Sequence, residues 1–249
     1  MSRPESALPV ATPGAKMLYL IRRKPTTSRE ELIAHWFANH MPIVIANQKK
    51  AEAQGRLHAR RYVATLFQGL ADGSLPWDGV AQLWWDRALP KSATPIGTTP
   101  TDSFQQKAEP YVGWATREYV IIDGADRLSH APLTLNAPYP STRSGFCKIT
   151  YLVKAKPDTD FESFFVHWLT VRAPIVAATM AEVGGFRYVV SHSIEPRDEP
   201  YAAMAELYFP DDAAWLRFGR RNASDGIERW IDLKGTSILK SDTEMIGLP

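Results

Sequence analysis

The chain has 249 residues, 45% of them hydrophobic and 22% charged, with 29 Lys and Arg against 27 Asp and Glu for a formal net charge of +2. A composition this apolar excludes an intrinsically disordered chain, and so even a balance of charge leaves no electrostatic footprint for nucleic acid. The single cysteine, Cys147, excludes an internal disulfide framework and a multi-cysteine zinc site and needs no oxidising compartment, so a cytoplasmic location is expected.

Met1 to Ala15 carries three prolines and no apolar core, unlike a signal peptide, and reads as a tail. No stretch approaches ~20 apolar residues, so no membrane-spanning segment is expected. From Lys16 the chain opens a pattern that it later repeats. Residues 16–44 and 148–176 align without a gap. They share Lys16/Lys148, Tyr19/Tyr151, Leu20/Leu152, Lys24/Lys156, Pro25/Pro157, His35/His167, Trp36/Trp168, Pro42/Pro174, Ile43/Ile175 and Val44/Val176. The match resumes at Arg61-Tyr62-Val63 against Arg187-Tyr188-Val189, and again at Ala81-Gln-Leu-Trp-Trp against Ala205-Glu-Leu-Tyr-Phe. Two copies of one unit of roughly 100 residues are therefore expected. The first occupies 16–124 and the second 145–249, joined by a Pro/Thr/Ser-rich linker at 125–144.

Each copy begins with a short apolar segment bounded by proline, Leu18–Arg22 or Thr150–Lys154, which reads as a buried strand. A helix follows. In the first copy Ser28-x-x-Glu31 is a capping box ahead of Leu32, Ile33, Trp36 and Phe37. In the second, Asp160 caps a stripe of Phe161, Phe164, Phe165, Trp168 and Leu169 at helical spacing. Two strands come next, Ala59–Phe67 with Val80–Asp86, and Phe186–His192 with Ala202–Phe209. A second helix is expected around Asp102–Ala108 and Ala213–Arg220, and a last strand at Arg117–Ile122 and Ser237–Ile246. The order is βαββαβ, so the fold class is α+β with two ferredoxin-like repeats. Helices on one sheet face leave the other bare. Apolar residues at successive strand positions imply burial of both faces, so the two sheets are expected to pack face to face as a pseudo-dimeric α/β barrel.

These residues form the pattern K-x-x-Y-L…K-P…E-x-x-x-x-H-W…P-I-V, which resembles the EthD-like family of the dimeric α/β-barrel superfamily. The family motif is a helix ending in His-Trp, followed by a second His just before a Pro. The first copy carries it whole, as His35-Trp36-Phe-Ala-Asn-His40-Met-Pro42. The second has Arg172 at the place of the second His. The resemblance implies a protein acting on small molecules. The superfamily includes cofactor-free isomerases, cyclases, decarboxylases and monooxygenases, so fold alone does not select the reaction.

On a wheel of ~100° per residue with Phe161 at 0°, the apolar face centres near ~20°, His167 falls near ~240° and Arg172 near ~20°. By the same register His35 is a flank residue and His40 points at the sheet. Pro42 should kink or stop the helix between Ala38 and Met41, leaving His40 near a C-terminus. Imidazole titrates near neutrality, so His40, His35 and His167 are candidate acid/base groups, and each is equally able to serve as a structural hydrogen-bonding residue. Arg172 either holds a ligand oxygen or pairs with Glu206 on the neighbouring strand. Tyr62, Trp84, Tyr188, His192, Glu206, Trp36 and Trp168 are candidate substrate contacts, their rings suited to a flat apolar ligand. His35 and His40 lie five apart, ~140° round a helix, a poor metal pair. No nucleotide-binding glycine motif or Gly-x-Ser-x-Gly is present. No metal and no cofactor is expected.

The expected activity is a cofactor-independent lyase, a dehydratase, or a related cyclase or isomerase, acting on a hydrophobic aromatic or polyketide-like compound through histidine. Two alternatives stay open: a non-catalytic small-molecule-binding or oxygenase-accessory protein, and cofactor-free oxidation of a phenol. The expected partner is a hydrophobic aromatic small molecule, with no nucleic acid and no membrane. A homodimer is left open.

Overall fold

The computed structural model describes residues 8–69, 75–128, 139–221 and 224–249. Part of the expected tail and much of the expected linker lie outside them. The elements are β1 (Ala15–Ile21), α1 (Arg29–His35), α2 (Met41–Ala53), β2 (Ala59–Leu66), β3 (Gly79–Trp85), α3 (Ser103–Lys107), β4 (Gly113–Ile122) and β5 (Ser141–Arg143). They continue as β6 (Cys147–Val153), α4 (Phe161–His167), α5 (Ala173–Val183), β7 (Arg187–Ser193), β8 (Ala203–Phe209), α6 (Asp212–Arg221), β9 (Ser237–Ser241) and β10 (Thr243–Leu248). The class is α+β with antiparallel sheet.

The chain divides into two compact units. The first comprises Pro13–Thr116, Leu128–Gly145 and Lys240–Pro249. Its strands run β5-β10-β2-β3-β1, followed by the opening residues of β4. The second comprises Met1–Thr12, Arg117–Arg127 and Phe146–Leu239. There the later residues of β4 lead into β7-β8-β6-β9. The expected final strand of the second copy is two strands. β9 neighbours β6, whereas β10 pairs with β2, Ile246 opposite Val63. The strand order β2-β3-β1-β4 recurs as β7-β8-β6-β9.

Register is the same in both units. Tyr19 faces Ala81, which faces Ala64, and Met17 faces Leu83, which faces Tyr62. In the second unit Tyr151 faces Ala205 and Val190, and Ile149 faces Leu207 and Tyr188. With a side-chain period of two, these residues share one sheet face, and the helices cover it. In the first unit Leu32, Trp36, Met41 and Ile45 pack there with Phe104; in the second, Phe164, Trp168, Val176 and Met180 pack with Phe218. Each of these side chains is under 9% exposed.

The expected kink at Pro42 is replaced by a π turn. Trp36–His40 and Trp168–Arg172 are π-helical, and each helix continues beyond, to Ala53 and Val183. Met41 N–H donates to the Trp36 carbonyl and Ala173 N–H to that of Trp168, each five residues back. The buried positions explain it. They step by four from Leu32 to Trp36, by five to Met41 and by four to Ile45. A straight α-helix would swing the second half of that face away by ~100°, and one extra residue in a widened turn restores it. Proline fits because it lacks the N–H that a normal turn would use.

One expectation about hydropathy is corrected. Phe161–Val183 is a 23-residue helical run in which an 18-residue stretch has a mean hydropathy of 1.3, long and apolar enough to cross a bilayer by length and composition. Its Phe164, Trp168, Ala173, Val176 and Met180 instead line the second unit's core.

Candidate functional site

Each unit encloses one cavity between its long helix and its sheet, and the two are lined by the same repeat positions. Tyr19, Trp36, His40, Val44, Tyr62 and Leu83 line the first; Tyr151, Trp168, Arg172, Val176, Tyr188 and Leu207 line the second. The first has a volume of about 210 Å3 and the second about 460 Å3. The floor is the strand register above, and the helix contributes Trp36 and His40 from the π turn.

In the first cavity His40 is the histidine in the lining. Its ring lies 4.5 Å from that of Phe104, and its Nδ1 stands 2.6 Å from Oδ2 of Asp102. Asp102 is itself fixed, because its Oδ1 accepts from Gln105 N–H at 2.9 Å as the N-cap of α3. One carboxylate thus caps a helix with one oxygen and orients an imidazole with the other. With Nδ1–H donated to Asp102, Nε2 is the nitrogen able to exchange a proton with a ligand. Trp36 Nε1–H donates to the Tyr62 hydroxyl at 2.8 Å, which leaves the Tyr62 proton available to an acceptor. Burial pushes the Tyr19 hydroxyl up to about 12 and also raises Tyr62 and Tyr111, so all three lining phenols stay protonated as donors at neutral pH. Ile21, Val44, Leu83, Trp85 and Ile96 complete an apolar wall.

The second cavity repeats the frame with a guanidinium in place of the imidazole. Arg172 NH1 lies 3.1 Å from Oδ2 of Asp225, whose Oδ1 accepts from Ile227 N–H at 3.0 Å. Trp168 Nε1–H donates to the Tyr188 hydroxyl at 3.1 Å. Burial raises Tyr151 and Tyr188 to about 12. Asp102 and Asp225 were absent from the sequence-based candidates, as were Tyr19, Tyr111 and Tyr151 as cavity residues. The signal that could have found Asp102 was its place as a helix cap.

Several candidates sit elsewhere. Trp84 and Glu206 lie on the sheet face opposite the helices, because they alternate with Leu83 and Leu207. Trp84 stacks between Lys16, 5.0 Å from its ring, and Arg61, at 4.7 Å. Glu206 pairs with buried Lys148 at 2.6 Å, so the expected Arg172–Glu206 pair is replaced by Arg172–Asp225 and Lys148–Glu206. His35 bonds Ser103 Oγ at 2.8 Å and lies 3.1 Å from the Asn39 amide, outside the cavity lining. His167 packs against Trp230 at 4.8 Å, with a buried Nε2 that has no partner among the described residues. His192 stacks on Phe165 at 4.1 Å and touches Trp168 and Tyr119, buried and off the second cavity. His40 does not occupy a helix C-terminus, since the π turn carries the helix onward. Among the described residues no group of three His, Cys, Asp or Glu side chains is placed to hold a metal ion.

Solved structures resemble this chain at low identity. An anthrone oxidase-like protein is 10% identical with a TM-score of 0.50, covering 94% of this chain and 93% of its own. A candidate monooxygenase from Lactobacillus acidophilus NCFM is 9% identical (TM-score 0.40, 92% of each chain). A chlorite dismutase variant from Candidatus Nitrospira defluvii is 8% identical (TM-score 0.42, 91% and 90%). At such identities the likeness concerns the fold alone. No protein-family model matches the chain. No curated protein matches it. The EthD-like resemblance therefore rests on the sequence pattern by itself.

Proposed function

We propose that this chain binds a hydrophobic aromatic small molecule in the first unit's cavity and removes a proton from it with His40. The observation that carries this reading is the His40–Asp102 pair, with its 2.6 Å contact, facing an apolar cavity whose hydrogen-bond donors include tyrosine hydroxyls. Asp102 holds the imidazole in the tautomer that presents a basic Nε2. A C–H next to a carbonyl, or a phenol, would lose its proton to that nitrogen. The Tyr19, Tyr62 and Tyr111 hydroxyls would then donate to the oxygen on which negative charge develops. A volume of about 210 Å3 suits a ligand of one or two rings. A cavity of roughly 150 Å3 already accepts benzene.

Proton abstraction is the step these residues supply themselves. The resulting carbanion leads to isomerisation by reprotonation elsewhere, or to loss of water where a hydroxyl sits β to the carbonyl. A second reading, favoured by the fold shared with the anthrone oxidase-like protein, is that the carbanion reacts with O2.

The test uses 2-tetralone, a two-ring ketone with acidic C–H groups, in D2O. Proton NMR follows loss of the C–H signal. Wild-type protein is expected to accelerate exchange over buffer, and His40→Ala to lose roughly 10²–10⁴-fold of that acceleration. Oxygen uptake in the same mixture reports the second reading. Equal exchange in wild type and His40→Ala, with both folded by circular dichroism, would remove His40 from the proposal.

A further inference from the structure

The second unit's cavity is not a copy of the first in chemistry, and its differences point to a different ligand. We propose that it is a separate binding site for an uncharged fused-ring aromatic carbonyl compound, held through Arg172 and not turned over there.

Size is the first argument. At about 460 Å3 the cavity falls within the ~300–1,000 Å3 typical of small-molecule sites, and it is about twice the first. Part of the extra room comes from the repeat itself, since Val153 stands where the first unit has Ile21. Aliphatic Ile227 and Ile231 line the second cavity, whereas Phe104 and Tyr111 line the first. Two further lining residues, Leu233 and Ile238, are 69% and 49% exposed, so the cavity has a greasy rim open to solvent.

Charge is the second. Arg172 takes the place of His40, and a guanidinium keeps its protons at any physiological pH, so it donates hydrogen bonds and serves as no base. The other carboxylate in the lining is Glu228. Its side chain bonds the Ser224 hydroxyl at 2.6 Å, and that bond, with smaller help from Arg172, holds its carboxyl below the usual range. Asp225, 1% exposed, already balances Arg172. An anionic ligand would meet a neutralised pair and Glu228 beside it. A neutral ligand with an acceptor oxygen meets Arg172, Tyr151 and Tyr188 as donors. Burial keeps both phenols protonated, and the Tyr188 oxygen already accepts from Trp168. Three donors over an apolar floor select a carbonyl on a flat ring system.

The probes are 9-fluorenone and its anionic counterpart fluorene-9-carboxylate, titrated into the full chain by equilibrium dialysis. Fluorenone is expected to bind at one site per chain, and the carboxylate at least about tenfold more weakly. Arg172→Met combined with Asp225→Asn removes the guanidinium without stranding a buried carboxylate and keeps an oxygen for the Ile227 cap. It is expected to weaken fluorenone by at least about tenfold. Ala205→Val narrows the floor with Arg172 in place and is expected to weaken fluorenone as well. Circular dichroism checks that each variant folds. The proposal is overturned by any of three results. These are fluorenone binding to the folded variants as tight as to wild type, carboxylate binding tighter than that of fluorenone, and no saturable fluorenone binding up to about 1 mM.

Discussion

His192 offers a quantitative check on the packing of the second unit, because its fold-imposed neutrality must appear as a pH-dependent loss of stability. The ring is 3% exposed, stacked on Phe165 at 4.1 Å, and its Nε2 has no partner among the described residues. Burial, with a smaller push from nearby Arg117, lowers its pKa to about 3, against 6.5 for the ordinary side chain. Above pH 6.5 neither the folded nor the unfolded state holds the extra proton, and His192 adds no pH dependence. Between 6.5 and about 3 the unfolded chain takes the proton and the folded chain does not, so stability falls as pH falls. The slope approaches 1.4 kcal/mol per pH unit, or about 1.6 kcal/mol between pH 6.5 and pH 5 and about 2 kcal/mol between pH 7.5 and pH 5. His192→Phe keeps a flat ring on Phe165 and removes the titration. Urea unfolding followed by tryptophan fluorescence at pH 7.5, 6.5 and 5 measures both proteins. Wild type is expected to lose about 2 kcal/mol more than His192→Phe between pH 7.5 and pH 5, and the variant to match or exceed wild type at pH 7.5, since a buried unsatisfied nitrogen costs about 1–3 kcal/mol. Parallel pH profiles for the two proteins would refute the burial argument for His192.

Other substitutions separate the roles of the paired groups. Asp102→Asn keeps the oxygen that caps α3 but replaces the anion facing His40. Tetralone exchange is expected to fall by at least about tenfold, while urea stability changes by less than about 1.5 kcal/mol. His40→Arg recreates the cation–carboxylate pair of the second unit, so it is expected to fold and to lose about 10²–10⁴-fold in exchange. Trp36→Phe keeps a ring at a fully buried position and deletes the bond to Tyr62; urea unfolding is expected to show a loss of about 0.5–1.5 kcal/mol for that bond, plus whatever the smaller ring leaves unfilled. Phe164→Ala empties a fully buried site in the second core and is expected to cost about 3–5 kcal/mol by the same measurement.

Much of the fold was legible because the chain states it twice. The duplicated Tyr, Trp and Pro positions located the same strands and the same helix in both halves, and local chemistry placed the caps: Ser28 accepts from Glu31 N–H, and Asp160 from Glu162 and Ser163 N–H. The π turn was also written there, in the five-residue step from Trp36 to Met41 and from Trp168 to Ala173. A wheel of fixed ~100° steps hides such a step, because it assumes one helix type throughout. Strand parity puts Trp84 and Glu206 on the face opposite Leu83 and Leu207, so a candidate set chosen by residue type mixes the two faces. Parity alone also misplaced His192. It shares a face with Tyr188, but four residues along a strand is roughly 13 Å, which carries it past the cavity to Phe165.

What no periodicity could reveal is the carboxylate partner of positions 40 and 172. Asp102 and Asp225 reach positions 40 and 172 only through tertiary folding, across 62 and 53 residues of chain. Both are held by the same device, one oxygen on a backbone N–H at the start of a short helical turn and the other on the side chain at position 40 or 172. That device accounts for how two side chains as unlike as imidazole and guanidinium can occupy equivalent places. The carboxylate accepts a hydrogen bond from either side chain, and the π turn aims either one at a cavity, so the same backbone frame carries an imidazole in one unit and a guanidinium in the other. The first cavity is thus lined by an imidazole and the second by a permanent donor, and under the function and the ligand site proposed above the difference between reaction and retention lies in a single position per repeat.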